Sequence, residues 1–342
     1  MVRRGRDISE LQTLGIGIIE ADLCASDLGL SSSVYRALAR STHSIIHCAA
    51  DIRFNISLEE SRQVNVAGTE NLLRFAARCP RLNKFVHTST VYVSGGKSGY
   101  LEEQAAQPGC FFNPYQQTKF EAEGAVLAAM AAIPATIYRF STMVYDRSAA
   151  RVSQFNYFHQ LLRLAAANPL QAIPALPSAK VDLIASDWAA QIFDFLFEER
   201  WKSGRIFHIC AGSKNSLTVA ELFDLTFHIL GLTEKRPEIL SQDEFNQTAA
   251  SILSTPSRRR MWQSLSHFLP HMNVDQTFAC TRLTEAILHR DDLQPPDARS
   301  MFRDTLSYCM ATQWGQLVSP HVSWPPQLDP VPAVQPKQWS PT

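Results

Sequence analysis

The sequence predicts an α/β protein with a doubly wound parallel sheet and a smaller, mixed second lobe. Short apolar runs alternate with segments of helical periodicity over the first 145 residues, at the spacing of strand–helix–strand units. Parallel strands require crossovers of this length, which are usually helices. The alternation loosens after residue 145, and seven of the last 23 residues are proline. We therefore expect a sheet domain over 1–145 with parts of 181–210, a mostly helical lobe over 146–315, and a disordered or extended tail over 316–342.

Each predicted strand is a short apolar run, and each predicted helix is a longer segment with apolar residues three or four positions apart. Six runs meet the first criterion, at 15–22, 44–50, 84–89, 135–140, 181–184 and 205–210. Six segments meet the second, at 33–40, 58–79, 115–131, 154–167, 188–199 and 219–230. The stretch from 235 to 315 is predicted to be mostly helical. Because helices join the first four strands, parallel pairing is favoured.

Composition and charge exclude several classes of protein. The 32 basic residues are matched by 32 acidic ones, so no electrostatic footprint for nucleic acid or an anionic membrane is present. Seven cysteines without a C-x-x-C pair argue against a disulfide framework or a structural zinc site. The longest apolar stretch, 125–138, contains Pro134 and is too short to span a bilayer. We expect a cytoplasmic protein with no signal peptide, no membrane span and no metal.

Glycine is scarce, which bears on phosphate binding. The chain has 14 glycines in 342 residues, about 4% against an average near 7%. The pair Gly15 and Gly17 is followed by isoleucines that continue an apolar run. No helix N-terminus is therefore predicted there to receive a pyrophosphate.

The strongest candidate site is a tyrosine–lysine pair at the start of a predicted helix. Tyr115 and Lys119 are four positions apart and so share one helix face. Such a pair is also compatible with a solvated surface. The helix, however, follows a loop that leaves the strand ending at Thr90, and ligands bind at the carboxyl ends of strands in open α/β sheets. This position favours the functional interpretation.

The residue types at this position suit acid–base chemistry. A tyrosine has a reference pKa near 10, and a neighbouring ammonium stabilises its phenolate. Tyr115 beside Lys119 can then give a proton to a developing alkoxide, while a hydroxyl such as Thr90 holds the same oxygen. Ser89 is the alternative hydroxyl.

Five motifs resemble the extended short-chain dehydrogenases/reductases, and more narrowly their thioester-reductase and fatty-acyl reductase, or male sterility, branch. They are IHCAADIRF at 46–54, LEESRQVNVAGT at 58–69, FVHTSTVYV at 85–93, NPYQQTKFEAE at 113–123 and VDLIASDWA at 181–189. Together they cover roughly residues 2–230 in the family's order. The resemblance implies a Rossmann-type sheet and an NAD(P)H-dependent reductase. In that reductase Thr90 is the hydroxyl partner, Tyr115 the acid–base group, and Lys119 the residue that binds the nicotinamide ribose.

The resemblance also implies cofactor contacts. Asp22 and Leu23 match the family's adenine-contacting pair, and Ala49 and Ala50 match small residues that let the cofactor approach the backbone. Their places, after two successive predicted strands, are those at which a dinucleotide meets such a sheet.

Further contacts are implied by Arg139 and Ser141, which match the start of the loop on the nicotinamide side. The family usually has proline where Phe140 stands. Arg3 and Arg4 match the end of the family's second strand, where a cation suits a 2′-phosphate. NADP(H) is therefore favoured over NAD(H), although a frayed basic terminus explains the two arginines equally well.

One departure from the family is large. Its glycine-rich turn, with the strand and helix around it, would precede Val2 and is absent, so we expect an N-terminally incomplete sheet. In the usual strand order the missing strand lies between those predicted at 15–22 and 44–50. One hypothesis is therefore an incomplete gene product, or one whose missing strands lie upstream.

The function implied by the resemblance is reduction of an acyl thioester, on acyl-CoA or a carrier protein, to an aldehyde or alcohol. A homodimer is possible. Two alternatives stay open: a nucleotide-sugar epimerase or dehydratase of the same superfamily, and a non-catalytic, dinucleotide-sensing or truncated inactive homologue.

Overall fold

The largest sheet among the described residues, called the central sheet below, has four parallel strands. The computed structural model describes residues 14–167, 170–265 and 269–317. Four strands form the sheet in the order β1-β2-β4-β9, and every pair in it is parallel. They are β1 (Ser44–His47), β2 (Lys84–Thr90), β4 (Ala135–Phe140) and β9 (Ile206–Ile209).

The remaining strands are short. They are β3 (Gly99–Leu101), β5 (Thr142–Tyr145), β6 (Ala172–Pro174), β7 (Lys180–Val181), β8 (Leu183–Ala185), β10 (Leu217–Thr218), β11 (Glu238–Leu240) and β12 (Gln276–Phe278).

Helices connect the strands. They are α1 (Ser32–Ser41), α2 (Leu58–Arg62), α3 (Gly68–Ala76), α4 (Pro114–Ala129), α5 (Tyr157–Ala167), α6 (Ser186–Glu198), α7 (Val219–Ile229), α8 (Gln242–Ile252), α9 (Pro256–Leu265), α10 (Thr281–Ala286) and α11 (Ala298–Ala311). A π-helical turn, Gln63–Ala67, joins α2 to α3, so the single long helix predicted over 58–79 contains a local widening. The helices predicted from 33, 115, 154, 188 and 219 are confirmed to within a few residues.

Helices cover both faces of the central sheet. Side chains alternate between the two faces along each strand, and in a parallel sheet both faces are apolar and need to be covered. On one face Phe85 and Ile137 belong to an apolar cluster with Leu73 of α3 and Val126 of α4. On the other face the Tyr138 ring meets an aromatic ring of α6 edge-on, with ring centroids 5.4 Å apart. The prediction of a doubly wound parallel sheet is confirmed.

The strand predicted at 15–22 is wrong. Residues 16–22 have no regular secondary structure, and the side chains of Ile16, Ile18 and Ile19 are about half exposed. A strand is stabilised by hydrogen bonds to a neighbour. Within the described residues β1 pairs only with β2, so its other edge offers this segment no partner strand.

The described chain forms two compact units. The first runs up to Met143 and includes Asp182–Ser216 and Gln276–Pro296; the second has Val144–Val181, Leu217–Asp275 and the residues from Asp297 onward. Gln276–Pro296 instead falls within the second lobe, 146–315, that the sequence predicts. The structure joins it to the first unit because β12 pairs in parallel with β3, far away in sequence. The tail predicted at 316–342 lies outside the described residues from position 318.

The second unit has an apolar interior. One apolar cavity within it has a volume of about 30 Å³, close to the volume that a single water molecule takes in the liquid. Leucine, isoleucine, phenylalanine and methionine side chains dominate the lining, including Leu162, Ile173, Phe227 and Met272. Across the described parts of both units, none of the helices combines the length and apolarity needed to cross a bilayer.

Candidate active site

Helix α4 places Tyr115 and Lys119 at the carboxyl end of the sheet. The Asn113 side chain caps the helix by accepting a hydrogen bond from the Gln116 backbone amide at 3.0 Å, and Pro114 occupies its first turn. Both residue types favour a helix start. The helix therefore begins one residue before Tyr115, and Lys119 follows one turn later on the same face.

Lys119 is almost completely buried and is held by strand β2. Its Nζ atom donates a hydrogen bond to the Thr88 carbonyl oxygen at 2.8 Å and lies 3.1 Å from Nε2 of His87. Burial lowers the pKa of Lys119 to about 8, an effect that the nearby Glu123 carboxylate partly offsets. The charged form of this lysine is therefore sensitive to mildly alkaline pH.

The tyrosine lies at the start of α4, and the two candidate hydroxyls lie at the end of β2. The Tyr115 ring is half-buried and stacks on Phe54, with ring centroids 5.9 Å apart. Thr90 ends the strand, and its Oγ1 atom accepts a hydrogen bond from the Tyr92 amide at 3.3 Å. The Ser89 hydroxyl oxygen is buried and has no hydrogen-bond partner among the described residues. Both hydroxyls therefore keep a proton to donate, and the choice between Thr90 and Ser89 stays open.

A buried asparagine connects the loop after β1 to helix α4. The Asn65 amide oxygen accepts a hydrogen bond from the Asp51 backbone amide at 2.7 Å, and its Nδ2 atom donates to the Asp51 carbonyl at 2.9 Å. The same Nδ2 atom lies 2.9 Å from Oγ1 of Thr118, between Tyr115 and Lys119. Asn65 lies in the π-helical turn, a feature common at functional sites.

The Arg139 side chain forms hydrogen bonds with two other side chains of the protein. Its guanidinium donates two-pronged hydrogen bonds to the Glu123 carboxylate, the shortest 2.6 Å, and a further nitrogen lies 3.1 Å from Nε2 of His208. Ser141 is also buried, and its hydroxyl donates to the Asp182 carbonyl oxygen at 2.7 Å. Arg139 lies near the end of β4 and Ser141 follows the strand, as the sequence implied. The hydrogen bonds described above, however, join both side chains to other residues of the protein and not to a cofactor.

The predicted adenine-side residues occupy two loops. Asp22 is exposed, and its carboxylate accepts a hydrogen bond from the Cys24 amide at 2.8 Å. Leu23 packs on the apolar core, and its carbonyl accepts a hydrogen bond from the Asn71 side chain at 2.6 Å. Ala49 and Ala50 are half-buried in the loop after β1. Arg3 and Arg4 lie outside the described residues.

The donor set fits a nicotinamide dinucleotide. Within the described residues Lys119 uses two of its three ammonium protons, which leaves one for a ribose hydroxyl. The exposed Asp22 carboxylate can accept from another hydroxyl, and the alanines leave the backbone after β1 accessible. No group of three or more potential metal ligands occurs in the part of the chain that the structure describes.

The residues that hold the predicted site residues in place were not predicted from the sequence. His87, Thr88 and Glu123 contact predicted site residues, yet none was a candidate. One signal was available: His87 is a polar residue inside a buried apolar strand, two positions before Ser89. Buried polar groups of this kind require partners.

The central sheet, the capped α4 helix and the tyrosine–lysine pair define an extended short-chain dehydrogenase/reductase fold. A profile described as male sterility protein, an NAD-binding domain, matches residues 7–193. Because the match covers more than half of the chain, this protein belongs to the male sterility family of NAD-binding proteins.

Fatty acyl-CoA reductases are among the proteins that this chain resembles in sequence. The chain is 24% identical to fatty acyl-CoA reductase 2 of Mus musculus over 290 residues, which are 75% of this chain and 55% of that protein. It is 36% identical to the alcohol-forming fatty acyl-CoA reductase of Simmondsia chinensis over 98 residues, 28% of this chain and 19% of that protein. The chain thus spans about half the length of the mouse relative.

Similar solved structures share the fold. The terminal R domain from the myxalamid PKS-NRPS biosynthetic pathway gives a TM-score of 0.70 at 20% identity, covering 93% of this chain and 84% of that one. UDP-glucuronic acid 4-epimerase from Bacillus cereus, solved in complex with NAD, gives 0.60 at 17% identity, covering 90% and 85%.

Proposed function

We propose that the chain is a nicotinamide-dependent reductase of acyl thioesters, on CoA or on a carrier protein. The observation that carries the proposal is the Lys119 ammonium, fixed at the end of β2 one helical turn from Tyr115. Membership of the male sterility family and similarity to fatty acyl-CoA reductases support the substrate class.

The chemistry uses Tyr115 as the acid. When bound, a reduced nicotinamide dinucleotide supplies the hydride that the thioester carbon accepts. Tyr115 donates its phenolic proton to the oxygen that becomes negative, and the hydroxyl of Thr90 donates a hydrogen bond to that oxygen. The neighbouring Lys119 ammonium stabilises the phenolate that remains. The hemithioacetal formed in this way then releases a thiol and an aldehyde.

Replacement of Tyr115 by phenylalanine tests the assignment. We expect Tyr115→Phe to lower the rate of NADPH oxidation with palmitoyl-CoA about 10²- to 10⁴-fold. Tyr100→Phe is the matched control, because Tyr100 is 62% exposed in the same unit and should keep its activity. NADPH binding that persists in Tyr115→Phe with unchanged oxidation would contradict the assignment. Binding by the unaltered chain without any oxidation would instead favour a non-catalytic dinucleotide sensor.

NADP(H) is the proposed form of the cofactor, on the strength of Arg3 and Arg4. Arginine suits a 2′-phosphate because it presents several donors in a fixed fork. The double variant Arg3→Ala/Arg4→Ala should therefore weaken NADPH binding far more than NADH binding in fluorescence titrations. Equal weakening of both would remove the argument for NADP(H).

The role of the second unit is also proposed. Its apolar residues suit an acyl chain, although the apolar cavity lined by Leu162 and Phe227, at about 30 Å³, is by itself too small to hold one. The cytoplasmic location and the homodimer remain predictions, to be checked by cell fractionation and by sedimentation.

A further inference from the structure

A buried histidine touches the proposed catalytic lysine. His87 lies in β2 with its side chain fully buried, and its Nε2 atom is 3.1 Å from Nζ of Lys119. Phe85 and His87 alternate onto the same face of the strand, the face on which α4 packs. The contact therefore follows from the register of the strand against the helix.

The protonation states at this contact can be worked out. Burial lowers the pKa of His87 well below its usual value, and the Lys119 charge lowers it further, so the imidazole is neutral near pH 7. A lysine ammonium can only donate. Nε2 of His87 therefore accepts the hydrogen bond and Nδ1 carries the ring proton. Nδ1 is buried and has no partner among the described residues.

Few other charged or titratable groups surround Lys119. From its own helix, Glu123 favours the ammonium, although that carboxylate is also paired with Arg139 of β4. Cys48, which follows β1, acts in the same direction. His47 of β1 lies behind His87, with ring centroids 5.2 Å apart, and burial lowers its pKa to about 4. His47 is therefore uncharged near pH 7, and among these neighbours only the Thr88 carbonyl and His87 bond Nζ directly.

We propose that His87 is a positioning residue for the reduction: by accepting a hydrogen bond at Nε2 it holds the Lys119 ammonium at the end of β2 and keeps it charged. This inference rests on the proposed function, because Lys119 matters for catalysis only if Tyr115 is the acid. A hydrogen bond to a charged group is worth more than one between neutral groups. Its loss in a site that excludes water should therefore favour neutral lysine.

Two amide variants separate this role from a structural one. In His87→Gln the amide reaches the place of Nε2 and can accept from Lys119, whereas in His87→Asn the shorter amide reaches only the place of Nδ1. The two variants introduce the same chemical group into the same strand position. His87→Leu removes the acceptor altogether and serves as the third variant.

The measurement is the titration of Lys119 by NMR in protein labelled with ¹³C at the lysine ε-carbon, assigned by the signal lost in Lys119→Arg. We expect a midpoint near 8 in the unaltered protein. In His87→Leu and His87→Asn it should fall by about one pH unit or more, and in His87→Gln it should stay near 8. The alkaline limb of kcat should move with these midpoints. Thermal unfolding of each variant confirms that it is folded.

Two outcomes would overturn the proposal: an unchanged midpoint in His87→Asn, or equal shifts in His87→Asn and His87→Gln. Since the amide pair decides the question, the test stands even if His87→Leu does not fold. The NMR titration needs no turnover. A chain that fails to reduce thioesters therefore refutes the proposed function without deciding the role of His87, and the reverse also holds.

Discussion

Two buried charges of opposite sign lie beside the proposed acid–base pair. Glu123 and Arg139 form an ion pair at 2.6 Å whose side chains are only 2% and 4% exposed. Burying two charges is costly, and their attraction compensates only when the geometry is good and other hydrogen bonds are satisfied. Here His208 occupies a further guanidinium nitrogen. The pair therefore fixes the end of β4 against α4, and removing one partner should be far worse than removing both.

Glu123→Leu should destabilise the protein by about 3–5 kcal/mol, because it leaves Arg139 charged and unpaired in the interior. The double variant Glu123→Leu/Arg139→Met should recover most of that loss. Glu121→Leu is the control, because its partner Arg62 is 40% exposed and such pairs contribute about 0–1 kcal/mol. Urea unfolding measures all three. A similar loss of unfolding free energy in Glu123→Leu and Glu121→Leu would show that the buried ion pair contributes no more to stability than the exposed one.

At this scale the sequence predicts the proposed acid–base residues but not the residues that hold them in place. Tyr115 and Lys119 can be predicted from their spacing together with their position after the strand that ends at Thr90. The partners of Lys119 and Arg139 come from β2, α4 and β9, which are distant in the chain, so only the fold brings them into contact. That is why Arg139, predicted to contact cofactor, has a guanidinium bound to Glu123.

At the scale of elements, the π-helical turn sets the position of the loop after β1 relative to helix α4. Widening the helix by one residue at Gln63–Ala67 brings Asn65 into the interior, where it bonds Asp51 and Thr118 at once. The loop after β1, which carries Ala49 and Ala50, is thereby tied to the helix that carries Tyr115. One side chain, that of Asn65, thus holds both the loop proposed to contact the cofactor and the helix that carries the proposed acid.

Asn65→Ala should lower stability by about 1–3 kcal/mol, because the Asp51 amide loses its buried acceptor. It should also weaken NADPH binding, since the loop after β1 is released. Asn55→Ala, at an exposed position of the same connection, should change neither. Urea unfolding and fluorescence titration give the two quantities. If stability falls while NADPH binding is retained, Asn65 is only a structural residue.

The sequence predicts an element well when its local pattern is clear and the fold supplies a partner strand beside it. The strand at Ala135–Phe140 is confirmed residue for residue, as it follows Pro134 and pairs on both sides. The run at 15–22 has similar apolar content but no partner strand among the described residues, and it is not a strand. The three-residue strand Gln276–Phe278 was missed because it is too short for its pattern to show and depends on pairing with β3.

At the scale of the whole molecule, the first unit carries every proposed acid–base residue. Thr90, Tyr115 and Lys119 all lie before Met143, within the stretch matched by the family profile. Both a reductase domain and an epimerase share the fold, so the fold alone does not choose the reaction. The two reactions differ in their net consumption of the dinucleotide. A reductase consumes the reduced dinucleotide, whereas an epimerase regenerates its cofactor in each cycle.

Isotope transfer tests the central claim most directly. The protein is incubated with palmitoyl-CoA and NADPH that carries deuterium at the transferable C4 position, and the products are analysed by mass spectrometry. We expect hexadecanal, or the alcohol formed from it, with deuterium at C1, and free CoA in equal amount. Tyr115→Phe should form these products about 10²- to 10⁴-fold more slowly. Intact thioester with unconsumed NADPH, or an aldehyde without deuterium, would contradict the central claim.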